Sequence, residues 1–233
     1  IARPRIIADP SIPATLLHEI EKSGQIFVNG PAALVAAKNK IKSLQILSEK
    51  KVAIAKSTIV NGRDQLEHAA RTHKFPIVIK TAYGTYGTGV FLAESMSSLR
   101  SIVDFIFSRG FDDPVVLQTY YKEVKGKDIR AFVVGNKVIA AMQRSAKRDE
   151  FRANFHQGGD VAEIKLTPAQ NKLAIKATRA LGLDYAGVDI LQTKRGPLVI
   201  EVNANPGFEG ITAATGVDVA SEIVKYAVRM AKN

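Results

Sequence analysis

The densest run of residues able to do chemistry lies near the C-terminus. It reads Ala186-Gly187-Val188-Asp189-Ile190-Leu191, then a break at Gln192 to Gly196, then Pro197-Leu198-Val199-Ile200-Glu201-Val202-Asn203-Ala204-Asn205-Pro206-Gly207. Two apolar, β-branched runs flank a Lys194-Arg195-Gly196 turn, which predicts a β-hairpin. The acids sit inside the apolar runs, where an unpaired carboxylate is costly. Strand side chains alternate faces, so Glu201 and Asn203 point the same way, and a hairpin centred near Arg195 sets Asp189 opposite Glu201. Three hard oxygen ligands then converge, two of them anionic. That set suits Mg²⁺ (Mn²⁺ being the natural substitute), which takes few protein carboxylates and completes its shell with water and substrate phosphates. A polar strand pair facing solvent is the bland alternative, and the flanking Val, Ile and Leu argue against it.

A second constellation is Lys80-Thr81-Ala82-Tyr83-Gly84-Thr85-Tyr86-Gly87-Thr88-Gly89-Val90. Gly84, Gly87 and Gly89 leave backbone N–H groups free to approach an anion. The loop joins two predicted strands, so it is not the strand-to-helix loop of a P-loop or dinucleotide fold. It is similar to a flap over nucleotide triphosphates, and Lys80 could reach a phosphate; a mobile hairpin turn is the plainer reading. Asp128-Ile129-Arg130 puts a carboxylate and a guanidinium on one strand face, where a surface ion pair would be worth little. In the polar loop Phe151 to Gly159, Arg152 and Asn154 could grip an oxyanion or a phosphate. His156 in that loop could carry a proton, but a lone loop histidine is more often incidental. Lys40 falls on a predicted helix, where a solvated lysine is the equal alternative.

These groups need a scaffold, and the chain has 233 residues with which to build one. Hydrophobic residues make up 46%, enough for a core without disulfides. Cys is absent, which excludes a thiolate nucleophile and Cys-ligated zinc. No apolar run reaches membrane-span length and no signal peptide is visible. The chain begins at Ile1 rather than Met, which points to a fragment or processed product. Its formal net charge is +11, dispersed rather than gathered in a tail. That suits polyanionic small ligands or an acidic protein segment better than nucleic acid.

The periodicities predict a helix from Pro31 to about Lys50, a strand over Val52 to Val60, a helix around Asp64 to Thr72 and strands at Phe75–Thr81 and Val90–Leu92. A helix is expected over Ser95–Ser108, a strand at Val115–Leu117 and a strand pair over 128–143 around the Gly135-Asn136 turn. Thr167-Pro168-Ala169-Gln170 reads as a capping box opening a helix that Gly182 stops, and a last helix spans Asp218 to Ala231. Hairpin-connected strands mixed with helices predict an α+β fold.

Taken in order, these parts resemble the ATP-grasp superfamily, most closely its RimK-type glutamate ligases. The resemblance rests on Asn39-Lys40-Ile41-Lys42-Ser43, Val78-Ile79-Lys80 before the glycine loop, and Gln118-Thr119-Tyr120-Tyr121-Lys122-Glu123. It continues through Gly126-Lys127-Asp128-Ile129-Arg130, the Phe151–Gly159 loop, Gly187-Val188-Asp189, and Glu201-Val202-Asn203 with Pro206-Gly207. It implies an ATP-grasp fold in which two α+β subdomains clasp the nucleotide. Residues 1–28 would be the remnant of an N-terminal α/β domain, with Ile1 to Ile7 as its last strand. Residues 29–120 would form the central subdomain with the glycine loop, and 121–233 the C-terminal subdomain with the metal site.

The roles the resemblance implies follow residue by residue. Lys40 and Lys80, with Gly84, Gly87 and Gly89, would contact ATP phosphates. The backbone of Thr119, Tyr120 and Tyr121 would read the adenine edge. Asp128 would contact the nucleotide, and Arg152 and Asn154 would hold phosphate or substrate. Asp189, Glu201 and Asn203 would hold Mg²⁺. Arg130, Arg144 and Arg152 would act on the substrate carboxylate or the acyl phosphate. The implied reaction is ATP-dependent amide formation through an acyl phosphate. It would add L-glutamate or a similar amino acid to the C-terminus of a protein such as a ribosomal protein, or to a small glutamyl cofactor. The expected setting is cytoplasmic, without membrane or nucleic-acid partners, and compatible with ribosome association and a homo-oligomer. Other readings are a non-catalytic basic nucleotide- or RNA-binding module, a ligase for a lysine-pathway carrier protein, and a phosphoryl-transfer kinase.

Overall fold

A computed structural model describes residues 11–84, 89–108, 114–146 and 160–232. Helix α1 (Ser11–Lys22) is followed by α2 (Pro31–Lys38) and α3 (Lys40–Glu49). A four-stranded antiparallel sheet comes next, in the order β1 (Ser57–Val60), β4 (Val115–Thr119), β2 (Ile77–Thr81), β3 (Val90–Ala93). Helices α4 (Leu66–Arg71) and α5 (Met96–Ser108) connect its strands. A second antiparallel sheet of five strands runs β7 (Asp160–Glu163), β6 (Lys137–Ser145), β5 (Lys127–Val134), β8 (Tyr185–Thr193), β9 (Gly196–Asn203). Helix α6 (Pro168–Ala180) precedes β8, and α7 (Glu209–Thr215) and α8 (Val219–Lys232) follow β9. The result is the α+β class that the mixture of hairpins and helices predicts. No helix among the described residues is long and apolar enough to cross a membrane.

Each sheet uses its faces differently, and the difference creates the site. On the first sheet Ile77, Ile79, Val115 and Leu117 face α4 and α5 and bury Leu66, Leu99 and Val103 against them. Alternation turns Val78, Lys80, Val116 and Gln118 to the opposite face, where all four are also buried. On the second sheet Ile129, Ala131, Val188, Ile190 and Val202 pack under α6, together with Leu34 of α2 and Leu47 of α3. So the segment preceding β1 belongs to the core of the second sheet. The reverse face of that sheet is split. Phe132, Val134, Met142 and Tyr185 are covered by Ile211 of α7 and Val219 and Ile223 of α8. Its other half carries Asp128, Arg130, Arg144 and Asp189 instead of apolar groups.

Several local features depart from the sequence expectation. The single helix expected from Pro31 to Lys50 is two helices, because Asn39 breaks it. Asn39 takes extended angles and its side chain accepts from Ile41 N and Lys42 N, capping α3, while Lys40 N donates to Ala82 O instead of continuing the helix. The strand expected over Val52–Val60 pairs in the first sheet only from Ser57. Its earlier part bridges β9 at Ile54–Val199, with Ala55 N donating to Val199 O. The edge strand β7 has no counterpart in the sequence expectation, since Asp160-Val161-Ala162-Glu163 is short and half acidic. The capping box at Thr167 and Gln170 forms as expected. Ile1 to Ile7 and the Phe151–Gly159 loop, with Arg152, Asn154 and His156, lie outside the described residues, as does Gly87.

Candidate active site

The β8–β9 hairpin sets Asp189 opposite Glu201 and Gly187 opposite Asn203. The route to that register differs from the expected three-residue turn. Gly196 already pairs with Thr193, leaving only Lys194-Arg195 as the turn, and Ile190 pairs with Val199. Continued regularly, this register would face Asp189 with Ile200. A one-residue bulge at Ile200 restores the Asp189–Glu201 opposition. The Lys80 ammonium donates to the Ile200 carbonyl of that bulge at 3.3 Å. The irregularity therefore aims a carboxylate and also creates the seat of a lysine.

Neighbouring strands complete the charged face. Arg130 on β5 lies beside Asp189 and grips its carboxylate through two nitrogens, Nη2 to Oδ2 at 2.8 Å being one contact. Arg144 on β6 faces Asp128 and binds it bidentately at 2.6 and 2.7 Å. Arg144 Nη2 also reaches Asp189 Oδ2 at 3.0 Å, joining the two pairs into one buried quartet. Burial pushes the Asp128 carboxyl up. Burial would do the same to Asp189, but Arg130 and Arg144 outweigh it and hold that carboxyl below the usual range. The Arg144 guanidinium, though buried, is held more firmly protonated by Asp189 and Asp128. Gly187 gives Arg130 its room, since a Cβ there would lie 3.0 Å from Arg130 Nη1 and 2.8 Å from Pro206 Cβ.

The cationic side of the site comes from the other elements. Lys80, on the buried face of β2, is pushed down in pKa by burial against the pull of Glu201. Lys40 opens α3, and its ammonium donates to Gly84 O at 3.1 Å and sits 3.8 Å from Glu201 Oε1. Asn39 donates to the Tyr83 hydroxyl, so the start of α3 holds the root of the glycine loop twice. At the loop's far end Gly89 has φ +75°, and a Cβ there would come within 2.1 Å of Thr81 Oγ1. Lys40, Lys80, Asp128, Arg130, Arg144, Asp189 and Glu201 are thus brought to one cleft between the two sheets. Thr119 ends β4 and leads through Tyr120 and Tyr121 toward β5.

Two carboxylates and one amide oxygen on one hairpin face form a hard donor set of the kind Mg²⁺ takes. Both Asp189 oxygens are engaged by guanidinium groups, whereas Glu201 is a third exposed and open to a ligand. Four cationic side chains surround three acids, an excess that an incoming phosphate would balance. The residues fit a metal held jointly with a polyanion. Among the described residues no three His, Cys, Asp or Glu side chains cluster as a metal site by themselves.

Asn29, which no motif or periodicity marks, organises this hairpin from outside. Its fully buried amide accepts from Asp184 N and Tyr185 N and donates to Tyr185 O and Ala204 O. It thereby ties the start of β8 to the residue after Asn203. A lone Asn in Phe27-Val28-Asn29-Gly30 was the only available hint.

Comparison with known proteins fits this geometry. The model of the RimK-like ATP-grasp domain matches residues 37–227. A probable alpha-L-glutamate ligase of Thioalkalivibrio sulfidiphilus is 42% identical over 225 residues, 96% of this chain and 74% of the relative. The ribosomal protein bS6–L-glutamate ligase of Escherichia coli O81 is 40% identical over 216 residues, 92% of this chain and 71% of the relative. Among solved structures, a RimK domain ATP-grasp protein from Sphaerobacter thermophilus superposes with TM-score 0.75 at 21% identity, covering 92% of this chain and 76% of its own. D-alanine–D-alanine ligase from Bacillus anthracis gives TM-score 0.76 at 20% identity, covering 94% and 76%.

Proposed function

This chain belongs to the RimK-like ATP-grasp family, and from that membership we propose how its site works. It is an ATP-dependent carboxylate–amine ligase. We propose that the amine is L-glutamate and that the acceptor is the C-terminal carboxylate of a protein, as the names of relatives at 40–42% identity suggest. The observation that carries the reading is the convergence of Lys40 and Lys80, from two separate elements, on Glu201 and Ile200 of the β8–β9 hairpin.

The reaction balances in two steps. A carboxylate oxygen of the acceptor attacks the γ-phosphorus of ATP, forming an acyl phosphate and releasing ADP. The amine of glutamate then attacks the acyl carbon, losing a proton, and inorganic phosphate leaves. Asp189, Glu201 and Asn203 would hold Mg²⁺, which when bound neutralises charge on the phosphates. Lys40 and Lys80 grip phosphate oxygens, and Gly84, Gly87 and Gly89 offer backbone N–H groups to them. Arg130 and Arg144 orient Asp189 and present positive charge to the acyl phosphate. Arg152 and Asn154 add contacts to phosphate or substrate. The backbone of Thr119–Tyr121 reads the adenine edge, and Asp128 fixes Arg144 beside the nucleotide. The two sheets serve as the two halves of the clasp, α2 and α3 packing with the second sheet although they precede the first in the chain, and the setting is cytoplasmic.

ADP release from Mg·ATP, measured with and without a glutamate-terminated peptide and free glutamate, tests this. Release should need both co-substrates, and mass spectrometry should show the peptide gaining glutamyl units. Equal ADP release with either one omitted would refute the ligase reading.

A further inference from the structure

His73, just beyond α4, is buried, and the reaction above leaves it unused. Its ring joins a chain of hydroxyls behind the first sheet. His73 Nδ1 lies 2.7 Å from Thr119 Oγ1, and Nε2 lies 3.0 Å from Thr58 Oγ1. Thr58 Oγ1 is 3.2 Å from Thr72 Oγ1, which donates to Ala69 O at 2.8 Å. A hydroxyl has one proton, so this end fixes the direction of the whole chain. Thr72 spends its proton on Ala69 O and therefore accepts from Thr58. Thr58 then accepts from His73 Nε2–H, which leaves Nδ1 as the acceptor of the Thr119 hydroxyl proton.

Thr119 is the last residue of β4 and the first of the segment assigned to adenine. Its side chain shares the face of Leu117, which packs under α4 and α5, away from the cleft. The same segment is held from one side by β1's approach: Thr119 N donates to Lys56 O at 2.9 Å, and Lys56 N donates to the Tyr121 hydroxyl. His73 is the one group that holds its side chain from behind in this chain of contacts.

We propose that neutral His73, as the Nε2–H tautomer, is a positioning residue that fixes Thr119–Tyr121 so that its backbone discriminates ATP from other nucleoside triphosphates. The proposal rests on the reading of that segment as the adenine contact. Steady-state kinetics with ATP and GTP on wild type, His73→Ala, His73→Asn, Thr119→Val and the His73→Ala/Thr119→Val pair test it. Wild type should prefer ATP. His73→Ala and Thr119→Val should each raise KM for ATP about 5- to 10-fold, the scale of one lost hydrogen bond, with kcat nearly unchanged and the ATP-over-GTP ratio narrowed. The pair should be no worse than either single variant, because both remove the same link. His73→Asn should recover much of the loss, since Asn Oδ1 can accept the Thr119 proton. Wild type without ATP preference would overturn the adenine reading itself. An ATP-preferring wild type whose KM and nucleotide ratio are unmoved by Thr119→Val would overturn the role of His73 alone. Thr119→Val exchanges a hydroxyl for a methyl on a strand, so it decides the matter even where His73→Ala fails to fold.

Discussion

Arg144→Met removes one cation from the buried quartet while keeping an unbranched side chain of similar reach. Arg144 is 4% exposed and makes three charge-assisted contacts, two to Asp128 and one to Asp189. Asp189 keeps Arg130, but Asp128 loses its bidentate partner inside the protein. Orphaning a buried charge this way costs about 3–5 kcal/mol. Protonating Asp128 sets a ceiling on that cost. From the ordinary value of 3.8, neutralising a carboxyl takes about 4 kcal/mol at pH 7 and about 1.5 kcal/mol at pH 5. The variant should therefore lose about 3–4 kcal/mol at pH 7 and under about 2 kcal/mol at pH 5. The sign follows from a carboxyl raised in the folded state, whose penalty vanishes as pH falls toward its unfolded value. Adding Asp128→Asn should restore most of the loss at pH 7, because no charge is then orphaned. Urea unfolding followed by circular dichroism measures this, the chain having no Trp. A loss below about 1 kcal/mol at pH 7, or one that does not shrink at pH 5, would refute the orphaned-charge argument.

Three further outcomes follow from the same geometry. Gly187→Ala places a methyl against Pro206 and Arg130, so it should cost about 1–3 kcal/mol and lower kcat by displacing the guanidinium; an unchanged kcat would show that Arg130 need not lie over Gly187. Glu201→Gln should raise the Mg²⁺ concentration for half-maximal activity by at least about tenfold, and EDTA should abolish turnover until Mg²⁺ is restored; an unaltered Mg²⁺ requirement would remove Glu201 from the metal set. Burial, then Lys56, hold the His73 pKa below 6.5, so its stabilising contribution is full above pH 6.5 and is lost as pH falls through the folded value. Wild type should accordingly lose more stability between pH 7.5 and pH 5 than His73→Asn does, and equal losses would show that His73 does not titrate differently on unfolding.

The hairpin was legible because acids inside β-branched runs have few places to go. Its register agrees with expectation because two departures cancel: the turn is one residue shorter than the spacing predicts, and the bulge at Ile200 supplies the missing residue. Nothing local encodes that bulge, since its partner is Lys80 on another sheet. The break at Asn39 escaped for a related reason. Pro31 to Lys50 contains no glycine or further proline, and the choice of Asn39 as a cap depends on Ala82 accepting from Lys40. Asp128 and Arg130 were legible as charges on one strand face and Arg144 only through the family resemblance, but the pairing of the three with Asp189 was not legible. It requires β5 to lie between β6 and β8, a neighbourhood 59 residues apart for Arg130 and Asp189. His73 and Asn29 bind backbone and hydroxyls far along the chain and so leave no periodic trace.

The most direct measurement follows one oxygen atom. A glutamate-terminated peptide labelled with ¹⁸O in its terminal carboxyl group is incubated with the protein, Mg·ATP and glutamate, and the inorganic phosphate is analysed by mass spectrometry. Passage through an acyl phosphate carries one carboxylate oxygen into phosphate for each amide formed, so labelled phosphate and glutamylated peptide should appear in equal amounts. Amide formed with unlabelled phosphate would contradict the mechanism assigned to this cleft.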